Sequence, residues 1–268
     1  MRSPDSSLET TGRLLRRLGQ NLLIDEAARD QIVSFAELSR SDIVLEVGPG
    51  KGFLTETLIA RAGKVIAVEK DPRLIRILRD KYRRVRRLRL VEGDILKVKL
   101  PKFNKIVSCP PYYISSRLVL LIVSRKLELA VLTLQKEFAE RLTAKPGSPN
   151  YGRISVMVQH KATVGIAGLI PRGSFRPVPR VDSAVVVIRN KKADVRVKSE
   201  RLFGDLVRFL FTQRRKRAEK VFRQYVETLR ERGEYGSSFV PSIPNVRVFQ
   251  LTVSDFERLS NEISRMRH

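Results

Sequence analysis

Between residues 42 and 142 the chain repeats one rhythm: a short apolar run, a turn, then an amphipathic segment. "DIVLEVG" gives way to "FLTETLIARA", in which Leu54, Leu58 and Ile59 recur at helical spacing. "KVIAVEKD" gives way to "PRLIRILRDKY", opened by Pro72 at a position where a helix has no use for an N–H. "LRLVEGD" and "KIVSC" read as a third and a fourth strand. A helix near Ser116 to Ser124, a strand "ELAVLTL" and a helix from Lys136 to Leu142 follow. Strands alternating with helices at this pace imply a parallel sheet covered on both faces. An α/β fold is therefore predicted.

The flanks extend this frame. Residues 1 to 12 are rich in Ser and Thr and read as a frayed end. From Asp25 to Leu38, Ala28, Ile32, Phe35 and Ala36 mark one face of a helix, with Asp25 as its N-cap. After the turn-forming "KPGSPNYG", a helix over Ile154 to Gln159, a strand over Thr163 to Ile170 and the β-rich "DSAVVVIR" are expected. The charged "NKKADVRVKSE" reads as a linker. From Ser199 the pattern is helical and basic, strongest in "LVRFLFTQRRKRAEKVF". No internal repeat is present, and two domains are expected, residues 1–190 and residues 191–268.

Fifty-three Lys and Arg against 28 Asp and Glu give a formal net charge of +25. A one-sided excess of that size repels itself unless the partner is a polyanion, which points to nucleic acid. One cysteine excludes an internal disulfide and a Cys-based zinc cluster, and two histidines leave little for any other metal site. The start "MRSPDSSLETTG" has no apolar stretch of the secretory kind, and the apolar run Leu118 to Val123 is too short to span a bilayer. A soluble, cytoplasmic protein without membrane or metal partners, acting as a monomer, is expected.

"EVGPGKG" places Gly48, Gly50 and Gly52 between the first strand and its helix. A loop without side chains lets a ligand lie against backbone at the carboxyl end of the sheet. The dinucleotide version of such a loop needs a glycine where Phe53 stands, which disfavours a pyrophosphate. Glu69 ends the second strand, where a carboxylate can accept both ribose hydroxyls, and Asp94 ends the third, within reach of an adenine amine. Each alone could be a turn or cap residue. Together, at the tips of successive strands, they favour S-adenosylmethionine as cofactor.

Beyond the fourth strand lies "CPPYYISS", residues 109 to 116. With this segment the chain resembles the ribosomal RNA small-subunit adenine dimethyltransferases, the kasugamycin-resistance (KsgA) type, over nearly its whole length. The matching stretches are "LGQNLL", "EVGPGKG", "EGDIL", "PYYISS", "YGRISVMVQ", "FRPVPRVDSAVV" and "FTQRRK". The resemblance implies a Rossmann-like class I methyltransferase fold, a seven-stranded and mostly parallel sheet, with a small α-helical C-terminal domain that binds rRNA. It implies that Asn21 and Leu23 contact the cofactor from the N-terminal segment, with Gly48 at its methionine end, Glu69 at its ribose and Asp94 at its adenine, and Gly50 also in the cofactor site. Tyr112 and Phe175 would sandwich the target base, and prolines on both sides of Phe175 place it on a loop. The implied target is a pair of adjacent adenines in a hairpin loop near the 3′ end of small-subunit rRNA, dimethylated on their exocyclic amines during subunit maturation.

An adenine amine is a poor nucleophile because its lone pair is delocalised into the ring. A protein activates it by orienting that lone pair and accepting its hydrogens, without a general base. Aromatic faces hold an extruded base, at about 1–3 kcal/mol per base. Cys109 departs from the family, which has Asn at this position to accept from the amine and touch the cofactor; a thiol is a weak acceptor. The Pro110 carbonyl remains available, since consecutive prolines set the backbone. Arg13, Arg16 and Arg17, and Arg214, Arg215 and Lys216, are candidate phosphate contacts, while "RRVRRLRL" is either a further phosphate contact or a solvated strand edge. Two other readings stand beside this one: a large-subunit rRNA adenine methyltransferase, and a ribosome-assembly factor whose catalysis Cys109 weakens or abolishes.

Overall fold

Runs rich in Val, Ile and Leu become strands buried on both sides, and capped helices follow two of the strands here. The computed structural model describes residues 21–191, 197–233 and 242–265. Strand β1 (Leu22–Leu23) and helix α1 (Glu26–Ser34) precede β2 (Ile43–Val47), α2 (Phe53–Arg61), β3 (Lys64–Glu69), α3 (Pro72–Lys81) and β4 (Leu88–Glu92). Then come β5 (Lys105–Ser108), α4 (Ser115–Val123), β6 (Leu129–Gln135), α5 (Lys136–Thr143), α6 (Arg153–Gln159), β7 (Ala162–Ile170), β8 (Phe175–Arg176) and β9 (Ser183–Asn190). Asp25 caps α1 by accepting from the Ala28 N–H at 3.1 Å, and Asp71 caps α3 by accepting from the Arg73 N–H at 2.9 Å.

Seven strands form one sheet in the order β4-β3-β2-β5-β6-β9-β7. β2, β3, β4, β5 and β6 pair in parallel, and β9 joins β6 antiparallel, with Leu132 opposite Val186. From β2 the chain builds outward through β3 to β4, then returns to lay β5 on the other side of β2. The loops leaving β2 and β5 therefore diverge and open a crevice at the carboxyl ends of the strands, the position where such sheets hold ligands. "RRVRRLRL" leads into β4 at the sheet edge, with Arg89 exposed and Leu88 and Leu90 half-buried.

The chain divides into two compact units, and the division departs from the one expected at residue 190. One unit runs to Ala139 and resumes over Val164–Asn190; the other contains Glu140–Thr163 together with the chain from Lys191. The reason is packing. Tyr151 and Val156 are buried in the same core as Leu202, Phe203 and Leu210, and His160 Nδ1 meets Glu257 Oε1 at 2.6 Å. In this unit α7 (Glu200–Phe211), α8 (Ala218–Glu231) and α9 (Val253–Arg265) surround that core.

The basic stretch expected to be the strongest helix is interrupted over residues 212–217. None of those six side chains is buried, so no apolar face is set into a core to sustain a helix there. The Thr212 hydroxyl donates to the Phe209 carbonyl at 2.6 Å, and the Gln213 N–H donates to the Leu210 carbonyl, closing the end of α7. Among the described residues no helix is long and apolar enough to cross a membrane.

Candidate active site

The loop after β2 carries its glycines in left-handed backbone, with φ of 69° at Gly48 and 61° at Gly50. A Cβ on Gly48 would stand 3.1 Å from Pro111 Cδ, and one on Gly50 would stand 2.6 Å from Leu22 Cδ2. Only glycine meets both demands, so the loop lies flat against the segment after β5 and against β1.

Glu69, at the end of β3 and 3% exposed, ties this loop to the next strand. Its Oε2 accepts from the Gly50 N–H at 3.3 Å, and its Oε1 accepts from the N–H groups of Lys70 and Asp71 at 2.8 and 2.9 Å. Burial pushes its pKa up, and those backbone donors oppose the rise. Asp94, two residues past β4, accepts from the Leu96 N–H at 3.0 Å and faces Lys70 Nζ at 3.3 Å. The Leu96 N–H in the first place, and Lys70 in addition, hold this carboxyl below the ordinary range.

Cys109 follows β5. Its thiol lies 3.3 Å from Thr133 Oγ1, and burial pushes its pKa up to about 12. The thiol is therefore protonated at neutral pH and is no nucleophile. Pro110 is buried, and a single 3₁₀ turn over Tyr112–Ile114 presents the Tyr112 ring, whose hydroxyl meets Ser183 Oγ at 2.7 Å.

Three adjoining cavities connect these groups. The first is lined by Asn21, Leu22, Gly48, Gly50, Glu69, Leu74, Cys109, Pro110, Pro111, Tyr112, Thr133 and Phe175. The second shares Gly48, Glu69 and Pro111 with it and adds Lys70, Gly93, Asp94, Ile95 and Tyr113. The third shares Asn21 and Tyr112 with the first and Tyr113 with the second, and extends over Gln135, Arg176, Pro177, Val178, Pro179 and Arg180. Tyr112 thus stands between an inner cavity and an outer, basic basin.

Two expected positions shift. Phe175 is not on a loop: it forms β8 with Arg176, pairs with Leu23 across β1, and is 2% exposed, so its ring meets the first cavity from within the core. Leu22 lines the cavity while Leu23, 6% exposed, packs into the core, because successive side chains of a strand point to opposite faces. Arg13, Arg16 and Arg17 lie outside the described residues.

In the other unit Arg215 and Lys216 are exposed, but Arg214 is engaged internally. Its guanidinium donates to the carbonyls of Pro149 and Tyr151, both at 3.0 Å, and lies 5.3 Å from the centre of the Phe249 ring. Sequence reasoning missed Thr133, Ser183, Tyr113, Gln135 and Arg180. Of these, Thr133 left a signal, a lone hydroxyl inside the apolar strand "ELAVLTL".

A glycine loop, a strand-end carboxylate and an aromatic turn, all gathered at the switch point between β2 and β5, define a class I methyltransferase. The family profile described as "Ribosomal RNA adenine dimethylase" matches residues 13–263, and the chain belongs to that family. A relative in Thermococcus sibiricus, "Probable ribosomal RNA small subunit methyltransferase A", is 44% identical over 245 residues, 90% of this chain and 88% of its own. One of the same name in Thermococcus onnurineus is 51% identical over 199 residues, 74% of this chain and 71% of its own. Among solved structures, a dimethyladenosine transferase from Plasmodium falciparum superposes with a TM-score of 0.79 at 30% identity, covering 91% of this chain and 98% of its own. The 23S rRNA methyltransferase ErmE gives 0.67 at 28% identity, covering 90% of this chain and 100% of its own.

Proposed function

We propose that this protein transfers methyl groups from S-adenosyl-L-methionine to the exocyclic amines of two adjacent adenines in a hairpin loop of small-subunit rRNA, during maturation of the subunit. The observation that carries the reading is the junction at Tyr112, where the inner cavity lined by Gly48 and Glu69 meets the outer basin lined by Arg176 and Arg180.

The residues fit the cofactor: the flat Gly48–Gly50 backbone gives a surface for its chain, Glu69 an acceptor for its ribose, and Asp94 an acceptor for its adenine amine. The cofactor supplies the electrophilic methyl group. Tyr112 stacks the extruded adenine, Phe175 supports the cavity from behind, and the Pro110 carbonyl accepts a hydrogen of the amine so that its lone pair points inward. Cys109 supplies no charge and only a weak acceptor. Relative to an amide at that position the loss is about 1–3 kcal/mol, roughly one to two orders of magnitude in rate. The enzyme is thus slowed, not silenced.

Arg215 and Lys216 serve as phosphate contacts, as do Arg13, Arg16 and Arg17. The relatives named for the small subunit, at 44% identity against 28% for ErmE, support the small subunit as the target.

Immature small subunits, labelled cofactor and mass spectrometry of the rRNA test this. Dimethylated adenines are expected with the wild type, faster by about 10–100-fold with Cys109→Asn. Cys109 also favours a second reading, an assembly factor that binds subunits and cofactor without transferring methyl groups. Binding of both, with no methylation by either form, would select it.

A further inference from the structure

The edge strand β4 is reached through two consecutive tight turns. The Val85 N–H donates to the Tyr82 carbonyl at 2.9 Å, and the Leu88 N–H donates to the Val85 carbonyl at 3.3 Å. Tyr82, Val85 and Leu88 are half-buried, and the Tyr82 hydroxyl is anchored on the Gly52 carbonyl at 2.9 Å. Every residue between these anchors is an arginine: Arg83 and Arg84 in the first turn, Arg86 and Arg87 in the second, all exposed. Arg89 follows on β4, also exposed.

Charge in this segment has no internal answer. Just upstream, Arg73 is paired with Asp71, Arg79 with Glu92 at 3.1 Å and Lys81 with Glu56 at 3.1 Å. From Tyr82 to Val91 there are five arginines and no acidic residue, and none of the five has an ion-pair partner among the described residues. Fixed turns hold these like charges together at a cost in repulsion, which a polyanion would relieve.

We infer that this arginine ladder binds the phosphate backbone of an rRNA helix outside the target loop. Successive pairs are one turn apart, less than about 7 Å along the chain, near enough to engage neighbouring phosphates of one strand. Guanidinium matches phosphate with two parallel hydrogen bonds, which a bare ammonium does not. The segment exposes no aromatic or large apolar side chain of the kind that anchors a protein interface. With a rise of about 3.3 Å per residue along β4, the ladder stands on the order of 15 Å from the Asp94 end of the strand. It therefore reads RNA beyond the base held at Tyr112, and the inference rests on the rRNA reading above.

The test replaces Arg83, Arg84, Arg86 and Arg87 together by Gln, and in a second variant by Lys. Binding of each to immature subunits and to protein-free small-subunit rRNA is measured against salt concentration. Each lost duplex phosphate contact lowers the slope of log affinity against log salt by about 0.9. The Gln variant should lose about two units of slope or more and at least about tenfold in affinity, on both RNAs. The Lys variant should keep most of the slope, because charge is retained. Cofactor binding and methylation of an isolated target hairpin should be unchanged in both. An unaltered slope in a folded Gln variant overturns the inference. So does a defect on subunits that is absent on protein-free rRNA, which would assign the ladder to an acidic ribosomal protein. Failure of the wild type to methylate any rRNA would defeat the functional reading instead, while the salt slopes would still judge the ladder.

Discussion

The two ends of the parallel strands treat polar groups in opposite ways. At the amino ends, Asp42 is 3% exposed and fully engaged: it accepts from the Ser39 N–H at 2.7 Å, Asn104 Nδ2 at 2.7 Å and Lys105 Nζ at 3.1 Å. Lys105 Nζ also donates to the Glu37 carbonyl at 2.7 Å, and Asn104 Oδ1 accepts from the Ile43 N–H at 2.8 Å. At the carboxyl ends, Glu69, Asp94 and Cys109 border cavities and keep acceptor capacity or space facing them. A closed network holds strands together; an open one receives a ligand. The same sheet does both, and substitutions at the two ends should separate stability from activity.

The largest effect is expected at the closed end. Asp42→Ala leaves the Lys105 cation buried without its carboxylate and should cost about 3–5 kcal/mol in denaturant unfolding. Methylation per folded molecule should stay at the wild-type level. Burial alone would raise the Asp42 pKa, but the Ser39 N–H, Asn104 and Lys105 outweigh it and hold it below the ordinary range. Its contribution is thus present above the unfolded carboxyl pKa and is lost as pH falls through the folded one. Loss of activity at temperatures where the variant remains folded would erase the distinction between the ends.

Next is Glu46, within β2 and 1% exposed, whose Oε2 has no hydrogen-bond partner among the described residues. Burial, with the Glu69 carboxylate adding to it, pushes its pKa up to about 8. A folded pKa above the unfolded value of about 4.3 means that its contribution is full below that value and is lost as pH rises through the folded one. Between these limits the native state holds a proton that the unfolded chain has released, and stability falls by up to about 1.4 kcal/mol per pH unit. Glu46→Gln should flatten that decline, visible as a rising stability advantage over the wild type from pH 5 to pH 8. Parallel stability profiles would mean that Glu46 is ionised in the fold.

How far these regions could be read from residues alone follows the range of the interactions. β2, β3 and β6 were legible because each is a mostly apolar run with at most one polar residue inside it, Glu46 in β2 and Thr133 in β6, and the Gly48–Gly50 loop because two left-handed residues beside a strand leave only glycine. β1 and β8 were not. Each is two residues long and exists only because Leu22–Leu23 meets Phe175–Arg176 from the far part of the chain, so Phe175 looked like a loop residue between prolines. The same non-local pairing decides that Leu22 rather than Leu23 faces the cavity. Arg214 sits in a run that reads as one basic surface, yet the carbonyls of Pro149 and Tyr151 take it inward. Charge is visible in a sequence; the acceptor that claims it is not.

At the open end, Gly50→Ala places a Cβ against Leu22 Cδ2 and puts alanine in left-handed backbone, a strain of about 1–2 kcal/mol. Either the Leu22 side chain or the loop must give way, which disturbs the cavity wall beside the Gly50 N–H that Glu69 accepts from. Cofactor affinity, followed by calorimetric titration, should fall about tenfold or more, against a small loss of stability. An unchanged affinity would mean that the loop contributes nothing to the cavity.

The smallest effect separates two roles of one side chain. The Tyr112 hydroxyl is held by Ser183 at the start of β9, which fixes the ring between inner cavity and outer basin. Tyr112→Phe removes that hydrogen bond but keeps the stacking face, so the loss should be about 0.5–1.5 kcal/mol, a few-fold in kcat. Tyr112→Ala removes the face as well, a further 1–3 kcal/mol or so, and should raise KM for the RNA as well as lower kcat. If both variants lost the same amount, the hydroxyl and not the ring would be what the reaction uses. The outer basin would then hold the base by some means other than stacking on Tyr112.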